Sequence, residues 1–126
     1  MKVVKNICYG GFGLTVEALI RIAELKGKKD IRVFADYDGA RDITDRPEEW
    51  DVDIDYIIAD GEEFEVDQFE DEGRADPELV QAVEELGEKA WGPCAELEVV
   101  EVPDDVKWEI EEYDGIETIA EIHRTW

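Results

Sequence analysis

Two Asp-Gly dipeptides, at residues 60–61 and 114–115, constrain the fold of this 126-residue chain more than any other feature. Each lies between two runs in which apolar and polar residues alternate or cluster: DVDIDYIIA and EFEVDQF around the first, VKWEIEEY and IETIAEI around the second. Alternation with a period of two is typical of half-buried strands, and Asp-Gly is a strong signal for a tight hairpin turn. Both segments are therefore predicted to form β-hairpins.

The two hairpins differ in how firmly the pattern supports them. Between Asp36 and Glu72 the chain holds 17 acidic residues, opposed only by Arg41 and Arg46, so this stretch is predicted as a hairpin or as an acidic insertion. In the second hairpin, the inward-facing residues are predicted to be Trp108, Ile110, Tyr113, Ile116 or Ile119, and Ile122.

Two helices are indicated by capping residues as well as by periodicity. Thr15 precedes VEALIRIAELK as an N-cap, and Gly27 follows as a C-terminal stop. Asp76 and Pro77 open the second helix, which Gly87 or Gly92 ends.

The runs KVVKNICY, IRVFADY and AELEVVEV are predicted as strands. The resulting order indicates one small α+β domain over residues 1–126, with two helices packed on one face of a mainly antiparallel sheet.

The net charge of −23 is unevenly distributed along the chain. Residues 1–32 carry a net charge of +4, and residues 33–126 carry 33 acidic residues against six basic ones. A field of this sign repels nucleic acid and anionic membranes, and it attracts a basic partner. Solubility and adaptation to high salt are the alternative explanations of the acidity.

Targeting and redox features are few. The first residues do not resemble a signal peptide, no apolar run has the length of a membrane span, and Cys8 and Cys94 are expected to be reduced thiols. A soluble intracellular protein is predicted.

The stretch NICYGGFGLT, residues 6–15, is the main candidate for ligand binding. Glycines between a strand and a helix let backbone N–H groups approach an anion, and the helix N-terminus adds partial positive charge. The spacing matches neither a Walker loop nor GxGxxG. The alternative is a tight turn in which Phe12 and Leu14 pack into the core. The predicted ligand-binding residues are Tyr9, Gly10, Gly11, Phe12, Gly13, Leu14 and Thr15, with Arg124 and Trp126 from the closing HRTW.

Catalytic and metal-binding arrangements are weakly indicated. The chain has no serine and only one histidine, so a thiol mechanism would have to combine Cys8 with His123. Acidic pairs such as Asp36 and Asp38, or the series Asp51, Asp53 and Asp55, have oxygen ligands for Mg²⁺ or Ca²⁺, yet a solvated acidic face explains them as well. No enzymatic activity, cofactor or metal is predicted.

Three blocks of the sequence carry a resemblance to a known family. MKVVKNICYGGFGLTVEAL, DPELVQAVEELGEKA and VVEVPDDVKWEIEEYDGIETIAEIHRTW span about two-thirds of the chain. In this order they resemble a family of small proteins of tailed bacteriophages, whose members have no assigned activity. The resemblance implies a phage accessory protein, outside the virion and the replication machinery, that acts in the cytoplasm of the host cell.

The resemblance to phage accessory proteins implies a role in counter-defence, and two forms of that role fit these residues. In the first, a possible homo-oligomer sequesters a small anionic, nucleotide-type immune signal through NICYGGFGLT, with aromatic side chains stacked on its base. In the second, the acidic surface mimics nucleic acid and inhibits a host nuclease or another basic defence protein.

Overall fold

The computed structural model describes residues 1–9, 11–36, 40–50, 55–66, 71–92 and 95–122. Within these residues the chain forms two α helices and eight strands. In chain order they are β1 (Lys2–Asn6), α1 (Val16–Leu25), β2 (Arg32–Asp36), β3 (Ala40–Asp42), β4 (Asp55–Ala59), β5 (Glu62–Phe64), α2 (Pro77–Leu86), β6 (Leu97–Glu101), β7 (Trp108–Tyr113) and β8 (Ile116–Glu121). Short 3₁₀ helices occupy Pro47–Glu49, Asp71–Ala75 and Gly87–Ala90.

The described strands pair antiparallel in three sheets. β1 pairs with β6, β7 pairs with β8, and the third sheet has the order β3-β2-β4-β5. The predicted α+β class with mainly antiparallel strands is confirmed, but the strands are divided among three sheets, and β3 was not predicted. The two helices contact each other, with α1 against β4 and α2 against β1 and β6.

Both hairpins turn at the predicted Asp-Gly dipeptides. The φ angles are 52° and 81° at Asp60 and Gly61, and 50° and 89° at Asp114 and Gly115. Positive φ at both central residues is the geometry for which Asp-Gly is preferred. Described residues 55–66 of the acidic middle segment therefore form a hairpin.

The inward-facing residues of the second hairpin were predicted partly wrongly. Tyr113 is 78% exposed and Ile122 is 44% exposed. Tyr113 lies an odd number of residues from Trp108, so it cannot share a strand face with it. A glutamate, Glu117, is instead among the buried residues of β8.

The helix boundaries follow the predicted caps. The Thr15 hydroxyl accepts a hydrogen bond from the Ala18 N–H at 3.2 Å, and the Asp76 carboxylate accepts one from the Glu78 N–H at 3.3 Å. Gly87 directly follows α2, Gly27 follows the C-cap Lys26 of α1, and both adopt positive φ. None of the helices in the described ranges is long and apolar enough to cross a membrane.

Two apolar clusters form the core, and α1 contributes to both. One joins Val4 and Leu97 of the β1–β6 sheet to Ile22 of α1 and Leu79 of α2. The other packs α1 against β2 and β4. Full burial of one such side chain stabilises the fold by roughly 1.5–3 kcal/mol.

The carboxylate of Asp42, in β3 beside β2, has a lowered pKa. Its hydrogen bonds from the Thr44 hydroxyl and N–H, together with Arg32, lower the pKa of Asp42 to about 2. Because this pKa lies below that of the unfolded chain, the contribution to stability is complete above about pH 4 and is lost as the pH falls toward 2. We expect Thr44→Val to raise the pKa of Asp42 in an NMR titration and Thr44→Ser to leave it low. An identical titration in all three proteins would contradict this assignment.

Candidate functional site

Asn6, at the end of β1, holds the glycine-containing loop in place. Its side chain is fully buried. The amide nitrogen donates to the carbonyls of Cys8 at 2.7 Å and Gly115 at 2.6 Å, and the amide oxygen accepts from the Glu96 N–H at 3.0 Å. Asn6 thus joins the start of the loop to the segment before β6 and to the turn of the β7–β8 hairpin.

A buried ion pair lies beside Asn6. Arg74 and Glu117, which are 5% and 6% exposed, form two hydrogen bonds of 2.6 and 2.8 Å. Glu117 also accepts the Asn6 backbone N–H at 2.7 Å. The Arg74 guanidinium lies 3.6 Å from the centre of the Phe12 ring, a cation–π contact. Phe12, predicted as a ligand-binding residue, therefore packs on the buried pair.

The second half of the loop packs against residues 88–92. The Gly92 N–H donates to the Gly13 carbonyl at 3.0 Å, and the Thr15 N–H donates to the Ala90 carbonyl at 3.1 Å. The Thr15 hydroxyl donates to the Lys89 carbonyl at 2.6 Å. Carbonyl oxygens therefore lie at the N-terminus of α1, where an anion would need hydrogen-bond donors.

The first half of the loop borders an open cleft of about 480 Å³. Its lining residues are Tyr9, Gly11, Glu112, Asp114 and Gly115. Tyr9 is 69% exposed, and Gly11 has a φ of 92° with no atom within 4 Å of the position of a Cβ. The cleft combines an aromatic ring with two carboxylates, a combination that attracts cations more readily than anions.

The C-terminal segment that contributes Glu112 and Asp114 to the cleft is rich in carboxylates. Residues 96–121 hold eleven Asp and Glu and a single basic residue, Lys107. Ten of these carboxylates are exposed, and we call them the C-terminal acidic surface. They belong to Glu96, Glu98, Glu101, Asp104, Asp105, Glu109, Glu111, Glu112, Asp114 and Glu121.

Few of these charges are neutralised by a neighbour. Glu101 and Asp104 bind the N-terminal ammonium of Met1 at 3.1 and 2.6 Å. The other eight form no ion pair with any part of the chain that the structure describes. The surface therefore keeps most of its negative charge for interaction with an external group.

The predicted ligand-binding residues are thus divided among different environments. Tyr9 and Gly11 line the cleft, Phe12 covers Arg74, and Leu14 is buried. Three more of the predicted ligand-binding residues, Gly10, Arg124 and Trp126, lie outside the described ranges. The sequence patterns did not reveal Asn6, Arg74 and Glu117, since the burial of a polar or charged residue depends on partners that are distant in sequence.

The catalytic alternatives gain no support from the described residues. Cys8 is a half-buried free thiol, and its proposed partner His123 lies outside those residues. No three His, Cys, Asp or Glu side chains in the described ranges are grouped as a metal ion would need. Asp38, Asp51 and Asp53 fall outside them.

No family model matches the chain, and comparisons with curated proteins and with solved structures give no match.

Proposed function

We propose that this chain is a non-catalytic binding protein whose C-terminal acidic surface engages a basic partner protein. The observation that carries the proposal is the set of eight exposed carboxylates in residues 96–121 that form no ion pair in the described structure. Concentrated charge of one sign steers an oppositely charged partner and accelerates its association.

The β7–β8 hairpin carries five of the ten carboxylates of this surface. Glu109 and Glu111 lie two residues apart on one face of β7, which separates their Cα atoms by roughly 6.8 Å. Glu112 and Asp114 border the cleft that contains Tyr9. At the cleft, an arginine of a partner would find the carboxylates of Glu112 and Asp114 for hydrogen bonds and the exposed Tyr9 ring for stacking. Glu109 and Glu111 lie on the opposite face of β7, where they would contact other basic residues of the partner.

A basic partner fits this geometry better than a small anion does. Carbonyls of Lys89 and Ala90 cover the N-terminus of α1, and carboxylates line the cleft beside the glycines. Both features repel phosphate. The absence of a side chain at Gly92 permits a close contact between two backbone segments, at Gly13 and Gly92.

In the setting implied by the resemblance to phage proteins, the partner is a host defence protein with a basic cleft for nucleic acid. The acidic surface would occupy that cleft in place of DNA or RNA. Such binding would weaken with salt, because nucleic-acid clefts are recognised largely through their charges.

A binding experiment with a defined basic probe tests the location of the site. The probe is the fluorescein-labelled peptide Arg-Arg-Ser-Arg-Arg. The hairpin variant combines Glu109→Gln, Glu111→Gln, Glu112→Gln and Asp114→Asn. The control variant removes four exposed charges elsewhere and combines Glu62→Gln, Glu63→Gln, Glu72→Gln and Glu88→Gln.

We expect the hairpin variant to bind the peptide about tenfold more weakly and the control variant to change affinity about twofold or less. Four exposed ion pairs at roughly 0.2–1 kcal/mol each account for a loss of this size. Equal losses in the two variants would mean that only net charge matters, and would contradict a specific site.

Mimicry of nucleic acid is tested by cross-linking in bacterial host extract. A carbodiimide should join hairpin carboxylates to lysines of a host protein, and an excess of duplex DNA should prevent the reaction. Cross-links to the hairpin that persist in excess DNA would contradict mimicry, because the two ligands would then occupy different surfaces.

A further inference from the structure

A second, more apolar groove lies between β6 and the open end of the β7–β8 hairpin. Its volume is about 310 Å³. The apolar lining consists of Val100, Val102, Pro103, Val106, Trp108 and Ile119. Lys5, Glu101, Thr118 and Glu121 complete the lining.

The two helices pack on one face of the β1–β6 sheet, and the groove borders the other face. Val4, Leu97 and Val99 of this sheet belong to the core built with the two helices. Val100 lies on the opposite face, since adjacent strand residues point to opposite sides. Trp108, Val106 and Ile119 are only half-buried, so apolar surface remains accessible within the groove.

We propose that this groove receives one apolar side chain of a partner segment whose flanking residues are basic. This inference rests on the proposed function, and it adds a requirement for an apolar residue to a site otherwise defined by charge. A volume of about 310 Å³ lies at the lower end of the range for ligand pockets, which suits one large side chain.

The charges around the groove determine what flanks that side chain. Glu101 and Glu121 lie in its lining, and the nearby Asp105 and Glu109 are exposed, as is the basic Lys107. The N-terminal ammonium pairs with Glu101, which leaves Glu121, Asp105 and Glu109 without an ion pair in the described structure. Lys5 is the only basic residue in the lining, and it lies opposite Glu98 across the β1–β6 pair. The negative excess favours arginine or lysine on either side of the apolar residue.

Two peptides that differ in one residue separate the apolar contact from the charge. We compare labelled Arg-Arg-Leu-Arg-Arg with Arg-Arg-Ser-Arg-Arg by fluorescence anisotropy. The full chain should bind the leucine peptide at least tenfold more tightly. Val106→Asn should reduce this ratio toward one without a change of net charge.

Two further variants distinguish loss of the groove from loss of folding. Ile7→Asn, a matched substitution at a residue that is 41% exposed and outside the groove, should keep the tenfold preference for leucine. Thr118→Trp, at an exposed residue of the lining, should fill the groove and lower the preference as Val106→Asn does. Near-ultraviolet circular dichroism verifies that each variant is folded.

The outcomes distinguish failure of this inference from failure of the proposed function. If neither peptide binds, the proposed function is wrong. Equal affinities for the two peptides, or a leucine preference retained in both groove variants, would overturn the inference about the groove but not the proposed function. A dimer in sedimentation that dissociates in Val106→Asn would identify a second copy as the occupant. If the leucine preference is seen only in a truncated chain that ends at Ile122, residues 123–126 of the same chain would be the occupant of the groove. Either result would also overturn the inference.

Discussion

Glu117→Gln is expected to destabilise the protein by roughly 3–5 kcal/mol, the usual cost of leaving a buried charge without its partner. The substitution preserves the size of the side chain but removes the charge that faces Arg74 at 2.6 Å. The pair connects the Asn6 backbone to Phe12 of the loop, so loss of packing should extend to both. Urea denaturation measures the change as a lower midpoint with an unchanged slope.

Removal of an exposed ion pair is the matched control. Lys2→Ala breaks the pair between Lys2 and Glu84, whose side chains are 51% and 44% exposed, and should have a much smaller effect. Arg74→Met combined with Glu117→Leu should recover part of the lost stability, since no buried charge is left. A loss for Glu117→Gln no larger than that for Lys2→Ala would contradict the role assigned to the buried pair.

Gly92→Ala should destabilise the protein by roughly 1–3 kcal/mol, the range for overpacking a close contact. A Cβ at this position would lie 2.9 Å from the carbonyl carbon and 3.1 Å from the Cα of Gly13. The clash involves backbone atoms, so the loop and residues 88–92 must separate. Thermal unfolding of the variant against the unmodified chain measures the effect.

Gly13→Ala provides the control for this contact from the other side. Its Cβ would lie 3.7 Å from the Gly92 Cα, an ordinary van der Waals distance. We therefore expect Gly13→Ala to be neutral or slightly stabilising, because alanine restricts the unfolded chain. If the two substitutions cost the same, the close approach at Gly92 does not determine stability.

The sequence predicted the elements whose signals are local. Thr15 and Asp76 cap their helices, and the two Asp-Gly dipeptides form hairpin turns, because each depends on residues only a few positions apart. The division of the strands into three sheets depends on long-range pairing, such as β1 with β6, and local patterns do not determine it.

The candidate site was less accessible to prediction than the fold. The sequence predicts NICYGGFGLT as a glycine-rich connection between strand and helix, and the structure confirms this. The partners of the loop, which are Arg74, residues 88–92 and the β7–β8 hairpin, are not predicted. Glu117 occupies a buried position because Arg74 compensates its charge. Alternation of apolar and polar residues could not reveal that a glutamate occupies a buried position.

Titration of the ¹⁵N-labelled chain with Arg-Arg-Leu-Arg-Arg, followed through amide chemical shifts, tests the proposed binding of basic protein segments to the C-terminal acidic surface. The largest shifts are predicted at Tyr9 and within residues 96–122. Shifts concentrated in residues 40–66, or spread evenly over the acidic residues of the chain, would contradict the proposal.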